Sequence, residues 1–529
     1  MVHLRNTGIP LRRGRLSAVL RALPRRVRGV QRLAPPRRVF AVPLLLLVVT
    51  LASAPPGFGD VRDDELTPAS VDRFVEQYRR ATGLPGVAVA VTKGERIVHA
   101  AGYGRAPSGE RVTADTPMAV ASVSKSFTAL AVMQLVEKGK VRLDAPVRDH
   151  LPEFVMADGR AATITVRQLL NQTSGMADST FHEKSLPQPD SLREAVARLR
   201  PARLATAPGT HWSYHNTNFQ VAARLVEVVG GEPFAAYMKA HVFAPLGMRH
   251  SVTVDTERDL PPSARGHLYI LGRPVPLPEP HGFGNGSGGV ISSAADLTHW
   301  MIAQNDQGRG LGGVRVVSAR SIAEMRTPSS AGRSYALGWS LGSTPNGAPV
   351  VKHGGDLFTS TAEVVLLPET GYGIAVMAGT GLAFDDAGAI ADALVAMAEG
   401  RRPVSPPAVS PFLLIDVTLA VATAVTLVLA ALGLARSRRW AVRRTGRSRW
   451  GTASRLALYV LPAALCATAA PIFRVLSRGR DIAWIQLFYI YPTFMIWLVT
   501  ATLLTIAVLA TRTFHLVRPR TEGDAQAFR

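Results

Sequence analysis

Four stretches of the chain are apolar with almost no interruption: Val39–Leu51, Phe412–Ala435, Leu456–Phe473 and Ile482–Thr511. A helix needs about 20 residues to cross a bilayer, and the three C-terminal stretches approach or exceed that length, the second interrupted by Pro462 and Pro471. The first stretch is shorter. It follows an Arg-rich segment that begins near Arg12 and precedes Ala52-Ser53-Ala54, the order of a secretory signal, either cleaved or kept as an anchor ahead of Pro55-Pro56. The predicted organisation is a basic N-terminal region with its signal over residues 1–54, an extracytoplasmic domain over 55–405 and a membrane region over 406–529.

Within residues 55–405 the apolar positions recur on shorter periods. Thr67-Pro68 reads as a helix cap with proline in the first turn, and Val71, Phe74, Val75 and Tyr78 follow at helical spacing. Gly86–Thr92 and Arg96–Tyr103 are β-rich and joined by Lys93-Gly94-Glu95, which predicts a hairpin. Ser122 to Lys138 predicts a helix with Phe127, Leu130, Leu135 and Val136 on one buried face and Gly139 at its end. A second hairpin is predicted from Ala362–Leu367 and Tyr372–Ala378 across Pro368–Gly371, and a closing helix over Asp386–Glu399. Strands at both ends with helices between them predict an α+β fold, an antiparallel sheet flanked by helices and joined to a helical subdomain. Pro403, Pro406, Pro407 and Pro411 then form a stiff spacer before the first C-terminal run.

Charge changes this picture in one respect. The formal net charge of +22 suggests a polyanion partner, but residues 1–54 and 406–529 carry +11 each, and residues 55–405 are neutral. The excess therefore flanks apolar runs, where it sets orientation, and gives no support for nucleic-acid binding. Eight arginines lie between the first two C-terminal runs, over Arg436–Arg455. The positive-inside rule places that segment in the cytoplasm, so residues 55–410 and the loop Arg474–Asp481 face outward and the tail from Arg512 faces inward. The expected location is thus the cell membrane, multi-pass. The single cysteine, Cys466, excludes an intramolecular disulfide and a cysteine-based metal or redox site, and no metal or cofactor is expected. A transporter is poorly supported, because the runs contain almost no ionisable residues.

One S-x-x-K occurs in the chain, at Ser122-Val123-Ser124-Lys125. Residues three apart on a helix share a face, so the Lys125 amine can reach the Ser122 hydroxyl, and a lysine desolvated on a buried helix can act as the base that a serine nucleophile requires. Ser124 and Ser126 point elsewhere and read as structural. The only Y-x-N is Tyr214-His215-Asn216, and the only H-G-G is His353-Gly354-Gly355, just ahead of the strand Ala362–Leu367. His215 reads as a loop residue. The run Gly284–Gly289 leads into Val290-Ile291 and not into a lysine-bearing helix, so it predicts backbone crowding near a cleft and no phosphate cradle.

These three elements, in this order, resemble the active-site motifs of the class C β-lactamase and DD-peptidase superfamily of penicillin-binding-protein-like serine hydrolases. The flanking text ASVSKSFTALAVMQLVEKGKVRLDAPV, ITVRQLLNQTSGM, YMKAHVFAPLGM and GSGGVISSAADLTHWM is similar to that family's, and the resemblance covers about residues 65–400. It implies that Ser122 attacks a carbonyl, that Lys125 and Tyr214 handle the proton, and that Asn216, His353, Gly354 and Gly355 bind substrate. It also implies an oxyanion hole made by the backbone N–H groups of Ser122 and Asp356.

One departure bears on substrate. The usual third motif has a cation and a hydroxyl where this chain has His353 and Gly354, so the hydroxyl is lost and the cation becomes a titratable one, with Lys352 as a weaker source of charge. Esterase or D-amino-acid peptidase activity is therefore expected above β-lactamase activity. The expected partners are a small-molecule or peptide substrate of cell-wall type and the lipid bilayer. The competing reading is a catalytically silent envelope receptor that binds cell-wall fragments, motivated by three apolar runs where one would tether.

Overall fold

Thr67 caps the first helix, α1 (Pro68–Thr82): its hydroxyl accepts from Ser70 N at 3.2 Å, and the Ser70 hydroxyl accepts from Thr67 N at 3.0 Å. This reciprocal cap satisfies donors that a helix start leaves unpaired. Val71, Phe74, Val75 and Tyr78 are all buried. The structure is a computed structural model that describes residues 66–518 apart from 330, 332, 333, 405, 407–410 and 478; the predicted N-terminal signal lies outside the described residues.

Six strands, β1 (Gly86–Lys93), β2 (Arg96–Gly104), β3 (Ser340–Ser343), β4 (Pro349–Asp356), β5 (Thr361–Leu367) and β6 (Tyr372–Ala378), form one antiparallel sheet in the order β2-β1-β6-β5-β4-β3. Both hairpins read from the sequence are present. The first strand pairs with the last, Val87 opposite Ala378, so the sheet joins the two ends of the domain. Successive side chains on a strand point to opposite faces. Val87, Val89 and Val91 accordingly pack toward α1 and Ile390 and Leu394 of the closing helix, whereas Ala88 and Ala90 join the core on the other side.

That second core is helical, built on α2 (Ser124–Glu137), α3 (Thr217–Gly230) and α4 (Ala294–Asn305), while α5 (Asp386–Ala398) lies beside α1 on the opposite face. Periodicity assigned α2 one buried face. Instead every side chain from Ser124 to Leu135 is buried, because α3 and the helix Ala319–Met325 cover the sides that would otherwise meet water. Its polar side chains find partners within the protein: Ser126 Oγ donates to Val123 O at 2.7 Å, Thr128 Oγ1 to Gly286 O at 2.7 Å and Gln134 Nε2 to His241 O at 2.8 Å, while Gln134 Oε1 is buried without a partner among the described residues. Phe127 stacks on Trp300 with ring centroids 3.7 Å apart, and both are fully buried.

Three helices long and apolar enough to cross a membrane follow: Phe412–Ala435 within α6 (Pro411–Ala435), Arg449–Leu476 ending in α7 (Leu461–Leu476), and α8 (Pro492–Val517). The third begins later than the apolar run does. Ile482 and Leu487 are buried with Phe358 of the sheet domain, so this stretch spends its apolar side chains on that contact in short turns before Pro492 starts the long helix. A second contact lies at the top of α6, where Asp416 Oδ2 accepts from Leu271 N at 2.8 Å, Oδ1 accepts from Thr493 Oγ1 at 2.6 Å, and Phe412 meets Phe384 at 4.6 Å between centroids. The helices are thus packed onto the domain at several places.

Removing the Phe127 ring should leave a cavity beneath α2. Phe127→Ala is expected to destabilise the domain by about 3–5 kcal/mol, read as a lowered denaturant midpoint; an unchanged midpoint would show that the Trp300 stack contributes nothing.

Candidate active site

The chain enters α2 through a tight turn, Ala121–Val123, in which Ala121 has φ 47°, a left-handed conformation uncommon for a residue with a side chain. Surrounding contacts hold the turn. Val120 N donates to Val290 O at 3.1 Å, Ser124 Oγ donates to Ala121 O at 2.6 Å and accepts from Val290 N at 2.9 Å. The hydroxyls of Ser124 and Ser126 are therefore structural. Ser122, half-buried, is left at the mouth of the helix.

Lys125 lies one turn on, fully buried, with Nζ 3.0 Å from Ser122 Oγ and donating to Ser287 O at 2.6 Å. Ser287 belongs to the glycine-rich run 284–289, whose part in the site is thus to offer a carbonyl to the amine. Desolvation by burial pushes the Lys125 amine well below its ordinary value. A neutral amine beside a serine hydroxyl has the form of a general base.

Tyr214 closes the other side. Its ring centroid lies 4.9 Å from Lys125 Nζ. Burial raises the phenol above its ordinary range, and the nearby Ser122 hydroxyl pulls it partly back. Residues 92 positions apart in the sequence, Ser122 and Tyr214, thus both lie beside the Lys125 amine.

The β4 edge supplies the third wall. β3 pairs with β4 only as far as Lys352, so His353–Asp356 have no strand on that side and lie along the Ser122 turn. Gly355 is required there: a Cβ would overlap the Val120 carbonyl oxygen and sit 3.0 Å from Ala121 Cβ and 3.1 Å from Ser122 N. The expectation of a titratable cation at His353 is corrected. Burial, with the Lys125 charge second, pushes His353 down to about 3, and its Nε2 lies 2.9 Å from the Tyr335 hydroxyl while Nδ1 lies 2.7 Å from Gly354 O. The ring is neutral and both nitrogens are engaged. Lys352 is corrected too, because strand alternation turns it away, toward Glu363 at 3.3 Å. A Cβ at Gly354 would point the same way, 2.6 Å from the Glu363 carboxylate, so Gly354 offers the pocket only backbone.

Asn216 begins α3 and donates through Nδ2 to Glu183 Oε1 at 3.2 Å. Glu183 and Asp178 flank the fully buried His215, 3.4 and 3.8 Å from its Nδ1, a grouping with the donor atoms of a cation site. Other partners already occupy it: Asp178 Oδ2 accepts from Asp481 N at 3.0 Å and pairs with Arg480 at 3.1 Å. Desolvation would raise Glu183, but His215, Lys184 and Arg480 outweigh it and hold the carboxyl at about 2. The group reads as an ion-pair hub beneath the pocket.

Sequence reasoning missed Tyr335, Glu183 and Arg480. Tyr335 lies edge-on to Tyr214 at 6.2 Å between centroids, with the exposed Trp212 at 6.1 Å from Tyr335, so three aromatic rings line the rim. Arg480 comes from the loop between α7 and α8, its guanidinium 5.3 Å from the Tyr214 ring centroid. No motif marks any of the three.

A family model described as Beta-lactamase matches residues 71–397, well over half of the chain. The chain belongs to the beta-lactamase family. Members of this fold family are generally serine hydrolases. This beta-lactamase-family chain is 33% identical over 327 residues to Penicillin-binding protein 4 of Amycolatopsis lactamdurans, covering 59% of this chain and 85% of that one. It is 28% identical over 313 residues to Protein flp of Staphylococcus aureus strain MW2, covering 58% of this chain and 62% of that protein, so it spans under two thirds of that relative's length. Among solved structures it resembles the octameric penicillin-binding protein homologue from Pyrococcus abyssi, with a TM-score of 0.54 and 25% identity over 63% of this chain and 78% of that one. The hydrolase EstCE1 shares the fold, with a TM-score of 0.52 and 20% identity over 62% of this chain and 98% of that one.

Gly355→Ala should displace the Ser122 turn while leaving both cores intact. Reaction with a fluorophosphonate is expected to slow on the order of 100-fold with little change in melting temperature, and wild-type labelling would show that the close approach is not needed.

Proposed function

We propose that the chain is a membrane-anchored serine hydrolase that works through an acyl-enzyme on Ser122. The observation that carries this reading is the buried Lys125 amine 3.0 Å from Ser122 Oγ, with the centroid of the Tyr214 ring 4.9 Å from the same amine. The two partners are perturbed in complementary directions. Lys125 loses its proton readily and Tyr214 keeps its own, which suits a base and an acid at one pH.

The chemistry follows from that division. Neutral Lys125 takes the Ser122 proton as Oγ attacks the substrate carbonyl, and the carbonyl oxygen gains negative charge. The backbone N–H groups of Ser122 and Asp356, on facing segments of the turn and the β4 edge, stabilise that charge. As the tetrahedral centre collapses, the Tyr214 phenol protonates the leaving oxygen or nitrogen and recovers its proton from the Lys125 ammonium. Water then attacks the acyl group by the reverse route, frees the acid and restores the Ser122 hydroxyl.

The substrate reading rests on the β4 edge. With His353 neutral and Lys352 turned away, that edge holds no cation for a carboxylate, and the rim of Trp212, Tyr214 and Tyr335 favours apolar or amide-bearing groups. Esters and D-amino-acid peptides of cell-wall type are thus favoured, with β-lactams as poor substrates. The positive-inside rule applied to the eight arginines of Arg436–Arg455 supports a cytoplasmic position for that segment and an outward-facing domain. Contact of the α7–α8 loop with the domain supports this arrangement, since the two must then share a side of the bilayer.

In the full chain in detergent, Ser122→Ala should abolish both fluorophosphonate labelling and ester turnover. A wild-type chain that takes no serine-directed probe while still binding cell-wall fragments would replace this reading with a silent receptor. Because only neutral Lys125 accepts a proton, kcat/KM should fall as pH drops through its lowered pKa, and activity should persist far below the ordinary lysine range of about 10.4. Lys125→Arg, permanently charged, should lose about 10²–10⁴-fold. A wild-type rate in that variant would exclude Lys125 as the base.

A further inference from the structure

The loop between α7 and α8 does more than join two helices. The Asp481 side chain is fully buried against the sheet domain. Its Oδ2 accepts from Lys184 N at 2.9 Å, Ser185 N at 2.8 Å and Ser185 Oγ at 2.9 Å, and its Oδ1 pairs with Arg474 Nη2 at 3.1 Å. Its own N–H donates to Asp178 Oδ2 at 3.0 Å. A buried carboxylate is tolerated only where such donors surround it, so the contact has one geometry and resists sliding.

That latch fixes the neighbouring residue. Arg480 Nη1 donates to Tyr214 O at 2.7 Å and pairs with Asp178 Oδ2 at 3.1 Å, and its guanidinium lies 5.3 Å from the centroid of the Tyr214 ring. One side chain thus holds both the backbone and the ring of the residue that faces Ser122. A guanidinium over an aromatic ring is attractive in its own right.

We propose that this loop is part of the active site: Arg480, latched by Asp481, is a positioning residue that holds Tyr214 toward Ser122 and supplies the fixed positive charge of the pocket. Hydrolysis then requires the apolar helices as well as the sheet domain. The inference rests on the serine-hydrolase reading of Ser122 and deepens it.

The charge has a readable consequence. Lys125 faces Glu183 and Asp356, which favour its ammonium, and Arg480 and Lys184, which oppose it, with the uncharged Tyr214 and His353 completing its surroundings. Arg480 also opposes proton retention on Tyr214. Without Arg480, Lys125 keeps its proton to higher pH, and the acid limb of the rate profile moves in the alkaline direction. A side chain that merely tethered the loop would not move that limb.

The test uses the full chain in detergent or lipid nanodiscs. Arg480→Gln should slow fluorophosphonate labelling of Ser122 at neutral pH by about tenfold or more and shift the acid limb of kcat/KM to higher pH. Asp481→Asn, which loosens the latch, should change both in the same direction. A labelled wild type beside an Arg480→Gln variant with unaltered rate and limb would overturn this inference alone. A wild type that takes no serine-directed probe would instead overturn the hydrolase reading on which it rests. If Arg480→Gln lacks a cooperative melting transition, Arg480→Lys carries the test: it should keep the limb in place and slow labelling severalfold, and a wild-type rate would overturn the positioning role.

Discussion

Lys125 has no exposed surface, and an ammonium at that position would give up its hydration for two hydrogen bonds, to Ser287 O and Ser122 Oγ. The effective penalty for such a burial is several kcal/mol per ion, so the environment selects the neutral amine. Much of the pocket follows from this. The amine needs a carbonyl for one of its N–H bonds, which Ser287 supplies, and a hydroxyl near its lone pair, which Ser122 supplies. It also needs the absence of water, which the Tyr214 and Phe219 rings at 4.9 and 5.8 Å maintain. Exposure of the same lysine would return it to the charged form.

Excluding water so completely constrains the backbone around it. Ala121 sits in a left-handed conformation that costs of order 1 kcal/mol or more and persists only because neighbouring contacts over-determine it. Gly355 lets the β4 edge close on the turn from one side. Gly338, with φ 75°, lets a loop approach Lys125 O from the other, where a Cβ would lie 2.7 Å from that oxygen. Two glycines and one strained alanine are the local cost of a pocket in which Ser122 is half-exposed and Lys125 is fully buried. The sheet beneath is unstrained by comparison, with valines on one face and alanines on the other meeting helices on both sides.

How much of this was legible in the sequence depended on the range of the forces involved. The two hairpins, α1 and α5 follow local patterns, and local patterns reported them well. The joining of β1 to β6 was legible because both ends of the domain carry the long apolar strand runs, whereas the short strands between them, such as Val252–Thr253 and Gly266–Ile270, form separate small sheets and were not read from the sequence. The full burial of α2 was not, since Thr128 and the Gln134 amide nitrogen donate to carbonyls far along the chain, and periodicity sees only the residues themselves. Ser122 and Lys125 could be paired by helical spacing alone, whereas Tyr214 and His353 entered through their motifs. The charge state of His353 could not: a sequence carries the ordinary value of a histidine, and burial beside Lys125 and Tyr335 is what lowers it. Arg480 was the least legible, because it lies 266 residues from Tyr214 in a segment whose composition marks it only as a link between apolar helices.

The position of Arg480 also accounts for the number of those helices. A tether needs one crossing. A chain that leaves the domain through α6 and must bring a side chain back to the same face needs a second, and α7 ends four residues before Arg480. The third, α8, then carries the chain away again, and its neighbours hold the loop in register: Ile482 and Leu487 pack on Phe358 just before α8, and Thr493 in its first turn shares Asp416 with Leu271 of the domain. Each of these contacts holds the helices and their connecting loop against the sheet domain. If Arg480 positions Tyr214 as proposed, the three helices and the sheet domain form one catalytic unit, and the packing of the helices bears on how firmly Tyr214 is held.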